Sequence, residues 1–137
     1  MVAVFDTNVV YSGLRSSLGA SFGLIQAVRK GQLRPAVTAP LVFEYEDVLR
    51  RPGYLPNLQP ADISSFLDWW VSVSACHTVH FLWRPFLRDA KDDLVLEAAV
   101  AASADCLVTF NVRDFASTDS LGVRILTPNE LINLLPP

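Results

Sequence analysis

Short runs of apolar β-formers alternate along the chain with longer stretches in which apolar residues recur every three or four positions. Met1 to Phe5 is apolar throughout and is bounded by the polar triplet Asp6-Thr7-Asn8, which predicts a buried strand ending at Asp6. After Gly19-Ala20-Ser21, which offers a helix start, Phe22, Leu24, Ile25 and Val28 describe an amphipathic helix closed by Gly31. Arg34 to Thr38 is a second extended run. Pro40 suits the first turn of a helix carrying Leu41, Val42, Tyr45, Val48 and Leu49, which Pro52-Gly53 stops.

The second half repeats the alternation. Asn57 to Pro60 reads as a turn, and Asp62 as the cap of a helix bearing Ile63, Phe66, Leu67, Trp70 and Val73. His77 to Phe81 is a weaker strand, and Leu82 to Ala90 an irregular loop around Pro85. Asp92 or Asp93 opens an Ala-rich helix reaching about Ala104. Cys106 to Thr109 and Arg124 to Leu126 are further strands, and Thr127-Pro128-Asn129-Glu130 begins a terminal helix with the signature of a capping box. Strands alternating with helices predict an α/β fold, a three-layer α/β/α sandwich on a mainly parallel central sheet.

Composition narrows the function. At 137 residues, 51% apolar and 18% charged, the expectation is a single domain over 1–137 with a substantial core. No apolar run approaches the roughly 18 residues of a membrane span, and Asp6 arrives too early for a secretory signal, so the expected location is the cytoplasm, away from membranes. Cys76 and Cys106 lie far apart in segments that read as buried, which implies neither a disulfide framework nor a zinc site. The net charge of −3 is opposite in sign to that of a simple basic nucleic-acid binder. Of the 11 cations, however, only Lys30 and Lys91 are lysines, and arginine suits bidentate phosphate contact.

In an α/β sheet, strand C-termini and helix N-termini share one edge, where ligands bind. Asp6 ends the first strand. Glu44 lies about a turn into the Pro40 helix, Asp89, Asp92 and Asp93 surround the start of the Ala-rich helix, and Asn111 and Asp114 follow the Cys106 strand. Singly, each acid has an ordinary reading: Asp89 and Asp92 as caps, Asp114 as a turn residue, and Glu46 and Asp47 beside Glu44 as a solvated face. Asp6 is harder to treat so, because an apolar strand that carries a carboxylate into a sheet edge incurs a desolvation cost. Clustered carboxylates raise one another's pKa unless a cation neutralises them, and hard oxygen donors without His or Cys suit Mg²⁺ or Mn²⁺. Phosphoryl chemistry assisted by a divalent ion is the expectation that follows.

Four segments then resemble the PIN-domain nucleases, in that family's order and over nearly the whole chain. They are Phe5-Asp6-Thr7-Asn8-Val9-Val10; Glu44 ahead of Val48-Leu49; Arg88-Asp89-Ala90-Lys91-Asp92-Asp93 before Leu96; and Leu107-Val108-Thr109-Phe110-Asn111-Val112-Arg113-Asp114-Phe115. The nearest likeness is to the toxin branch, the toxin halves of toxin–antitoxin pairs. The resemblance implies a Rossmann-like sandwich that cleaves single-stranded RNA with Mg²⁺ or Mn²⁺, a cognate antitoxin and a homodimer. It also implies an acidic quartet of Asp6, Glu44, Asp93 and Asp114 that is both catalytic and metal-binding. Asp93 is preferred to Asp92 because it stands three residues before Leu96. Thr7, Asn8, Thr109 and Asn111 match positions that orient ligands or water.

Arg15, Arg88 and Arg113 are the candidate phosphate contacts. His77 and His80 flank a strand away from the acidic rim and read as structural. Trp83 and Phe86 suit core packing more than base stacking, and Trp69 and Trp70 cannot both face inward on one helix. An aspartyl-nucleophile phosphohydrolase would place a second Asp where Asn8 stands. A degenerate PIN domain, binding RNA or protein without cleavage, would have little reason to keep all four acids.

Overall fold

The computed structural model describes residues 1–79 and 89–137, the side chains of 117–120 excepted. The expectations placed on His80, on Phe81 as a strand end, and on Trp83, Phe86 and Arg88 lie outside the described residues. Five strands, β1 (Val2–Phe5), β2 (Arg34–Val37), β3 (Ala75–Cys76), β4 (Cys106–Val108) and β5 (Arg124–Leu126), form one all-parallel sheet in the order β3-β2-β1-β4-β5. Six α-helices accompany them among the described residues: α1 (Thr7–Arg15), α2 (Ala20–Arg29), α3 (Ala39–Leu49), α4 (Pro60–Val73), α5 (Ala90–Ala101) and α6 (Pro128–Leu134). This is the expected α/β sandwich.

Ala3, Val4 and Phe5 are wholly buried in succession, as a central parallel strand covered on both faces requires. Register sets Ala3 beside Cys106 and Phe5 beside Val108 on one side, and Val2 beside Arg34 on the other. Helix α5 packs on β1, β2 and β4, and α4 packs on β2. Trp70 of α4 meets Phe5 edge to face, with ring centroids 4.9 Å apart. Helix α2 lies against α1 and α6, while α3 lies against α1, α4 and α5.

The chain steps outward from β1 through β2 to β3, then returns to lay β4 on the opposite side of β1. The order therefore reverses between β1 and β4. At such a switch point the two flanking connections diverge and leave a crevice beyond the strand C-termini.

Several local expectations change. The polar triplet that bounds β1 leads directly into helix α1, an element not expected there, whose inward face carries Val9, Val10 and Gly13. Strand β3 is Ala75–Cys76, and residues 77–79, where a strand was expected to begin, form no element; the amide of His77 closes the pairing by donating to the Val37 carbonyl at 2.9 Å. Cys76 is exposed, because β3 is the sheet edge, whereas Cys106 in β4 is buried as expected. Gln59, not Asp62, caps α4; Pro60 takes the first position and the Asp62 carboxylate accepts from the Gln59 amide at 2.8 Å. Thr38 caps α3 and Thr127 caps α6, the latter in the expected reciprocal box with Glu130. A 3-10 helix over Val112–Leu121 follows β4 where no element was expected. Trp70 is buried and Trp69 only half-buried. Among the described residues no helix is long and apolar enough to cross a membrane.

Candidate active site

Asp6 is the first residue past β1, and its amide still donates to the Val108 carbonyl of β4 at 2.9 Å. That bond pins the residue at the switch point. Its side chain is only 8% exposed, and its carboxylate accepts from the Thr109 hydroxyl at 2.7 Å. Thr109, fully buried beyond the end of β4, accepts in turn from the Asn111 amide at 3.0 Å. With its acceptor lone pair so engaged, the hydroxyl proton is directed at Asp6. Burial raises the Asp6 pKa. The hydrogen bonds from Thr109 and from the Thr7 backbone oppose that rise, and the charges of Asp114 and Asp89 add to it. Beneath the carboxylate, the buried Tyr45 hydroxyl of α3 donates to the Phe5 carbonyl. Burial, then the Asp6 charge, pushes the Tyr45 phenol well above its ordinary range, so it stays a donor.

A cavity of about 280 Å³ opens over Asp6. Thr7 and Asn8 of α1, Glu44 of α3, Asp89 and Asp92 at the head of α5, and Asn111 after β4 contribute to its wall. Each is there for a local reason. The Thr38 hydroxyl accepts from the Leu41 amide and starts α3, so Glu44 falls on the second turn, on the side facing α5. Asp89 caps α5 by accepting from the Lys91 amide at 2.9 Å. Asp92 and Asp93 occupy the first turn, where the helix dipole favours negative charge. The Asp92 carboxyl is pushed up to about 6, first by burial and then by the charges of Asp6, Asp89, Asp114 and Asp93. The acids of one rim thus feel one another as the sequence order suggested.

The candidate residues are not all placed alike. Asp6, Thr7, Asn8, Glu44 and Asn111 line the cavity. Asp93 is 2% exposed and does not line the cavity, whereas Asp92 beside it does. Thr109 lies behind Asp6. Asp114, on the 3-10 helix, is exposed and does not line the cavity, although its charge reaches Asp6 and Asp92. Arg15 and Arg113 are exposed and outside the wall.

Three wall residues escaped the sequence reading. Lys91 sets its ammonium 3.7 Å from Glu44, the one cation in the wall among the described residues. Its position between Asp89 and Asp92 was the available signal. Tyr11 and Tyr54 also line the cavity. Tyr11 belongs to the unrecognised helix α1, and Tyr54 follows a Pro-Gly stop that marks only a chain break.

The donor set suits a hard divalent cation. It consists of the carboxylates of Asp6, Glu44, Asp89 and Asp92, with those of Asp6 and Asp92 raised in pKa, and the amide oxygen of Asn8, which is buried with no hydrogen-bond partner. Among the described residues, no three His, Cys, Asp or Glu side chains converge into a ready-made cluster.

An all-parallel α/β sandwich with oxygen donors gathered at its switch point defines a Rossmann-like protein with an acidic cavity. The comparisons narrow that class. A family model described as the PIN domain matches residues 2–113, and the chain belongs to that family, whose members are generally nucleases that use divalent metal ions. No match is found among curated proteins. Among solved structures, the chain is similar in fold to a chain of VapBC2 from Rickettsia felis bound to a DNA fragment from their promoter. The TM-score is 0.58 at 14% identity, over 93% of this chain and 98% of the other.

Proposed function

We propose that this chain is a metal-dependent endoribonuclease that cleaves single-stranded RNA, acting in the cytoplasm as the toxin of a toxin–antitoxin pair. Its partners would be a cognate antitoxin and a second copy of itself, and residues 1–137 would form one domain. The observation that carries the reading is the buried Asp6 carboxylate at the β1/β4 switch point, oriented by Thr109 and facing a cavity walled by oxygen donors. The family supports nuclease chemistry, and the VapBC2 likeness is the reason for favouring the toxin role.

In this reading Asp6, Glu44, Asp93 and Asp114 form the acidic quartet, and Asp92 joins them through the cavity wall. Mg²⁺ or Mn²⁺ would be held by Asp6, Glu44, Asp92 and the Asn8 amide oxygen, with Asp93 and Asp114 adding negative charge from outside the wall. When bound, the ion would supply charge stabilisation to the phosphodiester and lower the pKa of water.

The chain's own residues do the positioning. Thr109 fixes the rotamer of Asp6, while Thr7 and Asn111 present polar groups at the cavity floor and rim. The amino ends of α1 and α5 point positive potential at a bound phosphate. Water adds to phosphorus and the 3′-oxygen leaves with a proton, giving 5′-phosphate and 3′-hydroxyl ends. The test is cleavage of a mixed pool of single-stranded RNAs with Mn²⁺, Mg²⁺ or chelator, by wild type and Asp6→Asn. Metal-dependent cleavage lost in the variant supports the reading. Binding of RNA or protein by a folded chain that never cleaves would favour a degenerate module instead.

A further inference from the structure

The wall of the acidic cavity is not acidic all round. Tyr11 and Tyr54 close one side of it. Their rings meet tilted, with centroids 5.3 Å apart, and each carries an arginine: Arg15 stands 5.9 Å from the Tyr11 ring centre and Arg51 stands 5.7 Å from that of Tyr54. The four side chains thus run Arg15–Tyr11–Tyr54–Arg51, with the two tyrosines in the cavity wall and the two arginines outside it.

Local structure explains the alignment. Tyr11 and Arg15 are four residues apart on α1 and therefore share a face. Gly53 adopts a left-handed φ of +78°, which turns the chain after α3, and the Tyr54 amide closes that turn on the Arg51 carbonyl at 3.2 Å. The Tyr11 hydroxyl donates to the Tyr54 carbonyl at 3.0 Å, tying α1 to this turn. The ring of Tyr54 is left 38% exposed. Arg51 is held otherwise by Asp47 at 3.2 Å, in an exposed pair of the kind that water weakens.

The pair is partly exposed, carries an arginine at each end and lines the cavity above Asp6. We propose that the Tyr11–Tyr54 pair is the nucleobase platform of the site: an unpaired base beside the scissile phosphate stacks on Tyr54, and Arg15 and Arg51 take the flanking phosphates. The platform rests on the nuclease reading above and adds to it the means by which an acidic chain holds a polyanion. Stacking on an exposed ring tolerates any base and requires an unpaired strand, so it selects single-stranded RNA over duplex.

The test is equilibrium binding by fluorescence anisotropy, using the full chain as Asp6→Asn so that no cleavage intervenes. The probes are a labelled oligouridylate of about eight nucleotides, the scale of a short single-strand site, and a ribose–phosphate strand of the same length lacking its bases. The base-bearing strand should bind about tenfold more tightly, the effect of one stacked base. Tyr54→Leu should bring both strands to one affinity without changing the salt dependence, and Tyr54→Trp should restore the preference. Arg15→Gln and Arg51→Gln should each flatten the slope of log affinity against log salt by about 0.7.

Equal binding of the two strands by the parent, no binding of either, or a preference that survives Tyr54→Leu would each overturn the platform. Thermal unfolding of each variant separates lost stacking from lost fold, and Tyr54→Trp serves as the folded control. Cleavage by wild-type protein with Mn²⁺ is scored separately. Base preference without cleavage would leave the platform standing and sink the nuclease reading, whereas cleavage without base preference would do the reverse.

Discussion

Replacing Thr109 with Val removes one hydroxyl and keeps the shape of a fully buried side chain. The Asp6 carboxylate then loses its 2.7 Å donor, and the Asn111 amide loses its acceptor. A hydrogen bond to a charged group contributes about 1.5–3 kcal/mol, and that is the expected destabilisation while Asp6 is ionised. At this chain length it corresponds to a fall in melting temperature of roughly 5–10 °C. The pH dependence carries the sign. The Thr109 bond lowers the Asp6 pKa, so its removal raises that pKa further above 3.8. The penalty is therefore complete above the Asp6 titration and shrinks as pH falls through it, because a proton then neutralises the buried charge. Urea unfolding of wild type, Thr109→Val and Thr109→Ser, stepped downward in pH from 8, measures this directly. Thr109→Ser should lie near wild type. A Val variant as stable as wild type at pH 8, or one whose penalty never shrinks as pH falls, would refute the claim that Thr109 holds an ionised Asp6.

The carboxyl of Asp92, raised to about 6, binds its proton more readily in the folded chain than in the unfolded one, as does that of Asp6. Without divalent ions the chain should gain stability as pH falls from 7 towards 4, by on the order of 1 kcal/mol once exposure of Asp92 is discounted; Asp92→Asn should flatten that trend in pH-dependent melts. A Cβ on Gly13 would come 2.5 Å from Ile25 Cδ1 and 3.1 Å from the Ser21 carbonyl, where α1 crosses α2. Gly13→Ala should therefore cost about 1–3 kcal/mol despite the better helix propensity of alanine. Adding Ile25→Val should recover part of that loss, as read by urea midpoints.

What the sequence disclosed follows from how local each cause is. Pro40 and the Thr127-Pro128 cap announce their helices because the signal and the first turn lie within four residues. The apolar runs of β1 and β4 are legible because strands buried on both faces carry no polar alternation. Helix α1 is hidden because Asp6-Thr7-Asn8 reads only as the boundary of the first strand; its polar start is what sets Thr7 and Asn8 into the cavity. A two-residue edge strand such as β3 leaves almost no pattern, and the β-formers that follow point instead to a start at His77.

The gathering of acids on one rim was readable from strand and helix order. Which member of a neighbouring pair faces inward was not: Asp92 and Asp93 differ by 100° of helix rotation, and only the packing of α5 puts Asp92 in the wall and leaves Asp93 out of it. Lys91, Tyr11 and Tyr54 become neighbours through contacts among α1, α3 and α5. No spacing in the chain records those contacts.

The central claim is that the switch-point acids form a cation site organised by Asp6, and calorimetric titration with Mn²⁺ tests it without any substrate. Wild type should bind Mn²⁺ near pH 6 with release of protons, because the ion displaces the proton from the raised carboxyl of Asp92. Repeating the titration in buffers of different ionisation enthalpy counts those protons. Asp6→Asn should lose most of the affinity while remaining folded. No heat of binding in wild type, or equal affinity in the variant with no proton release in either, would contradict the account.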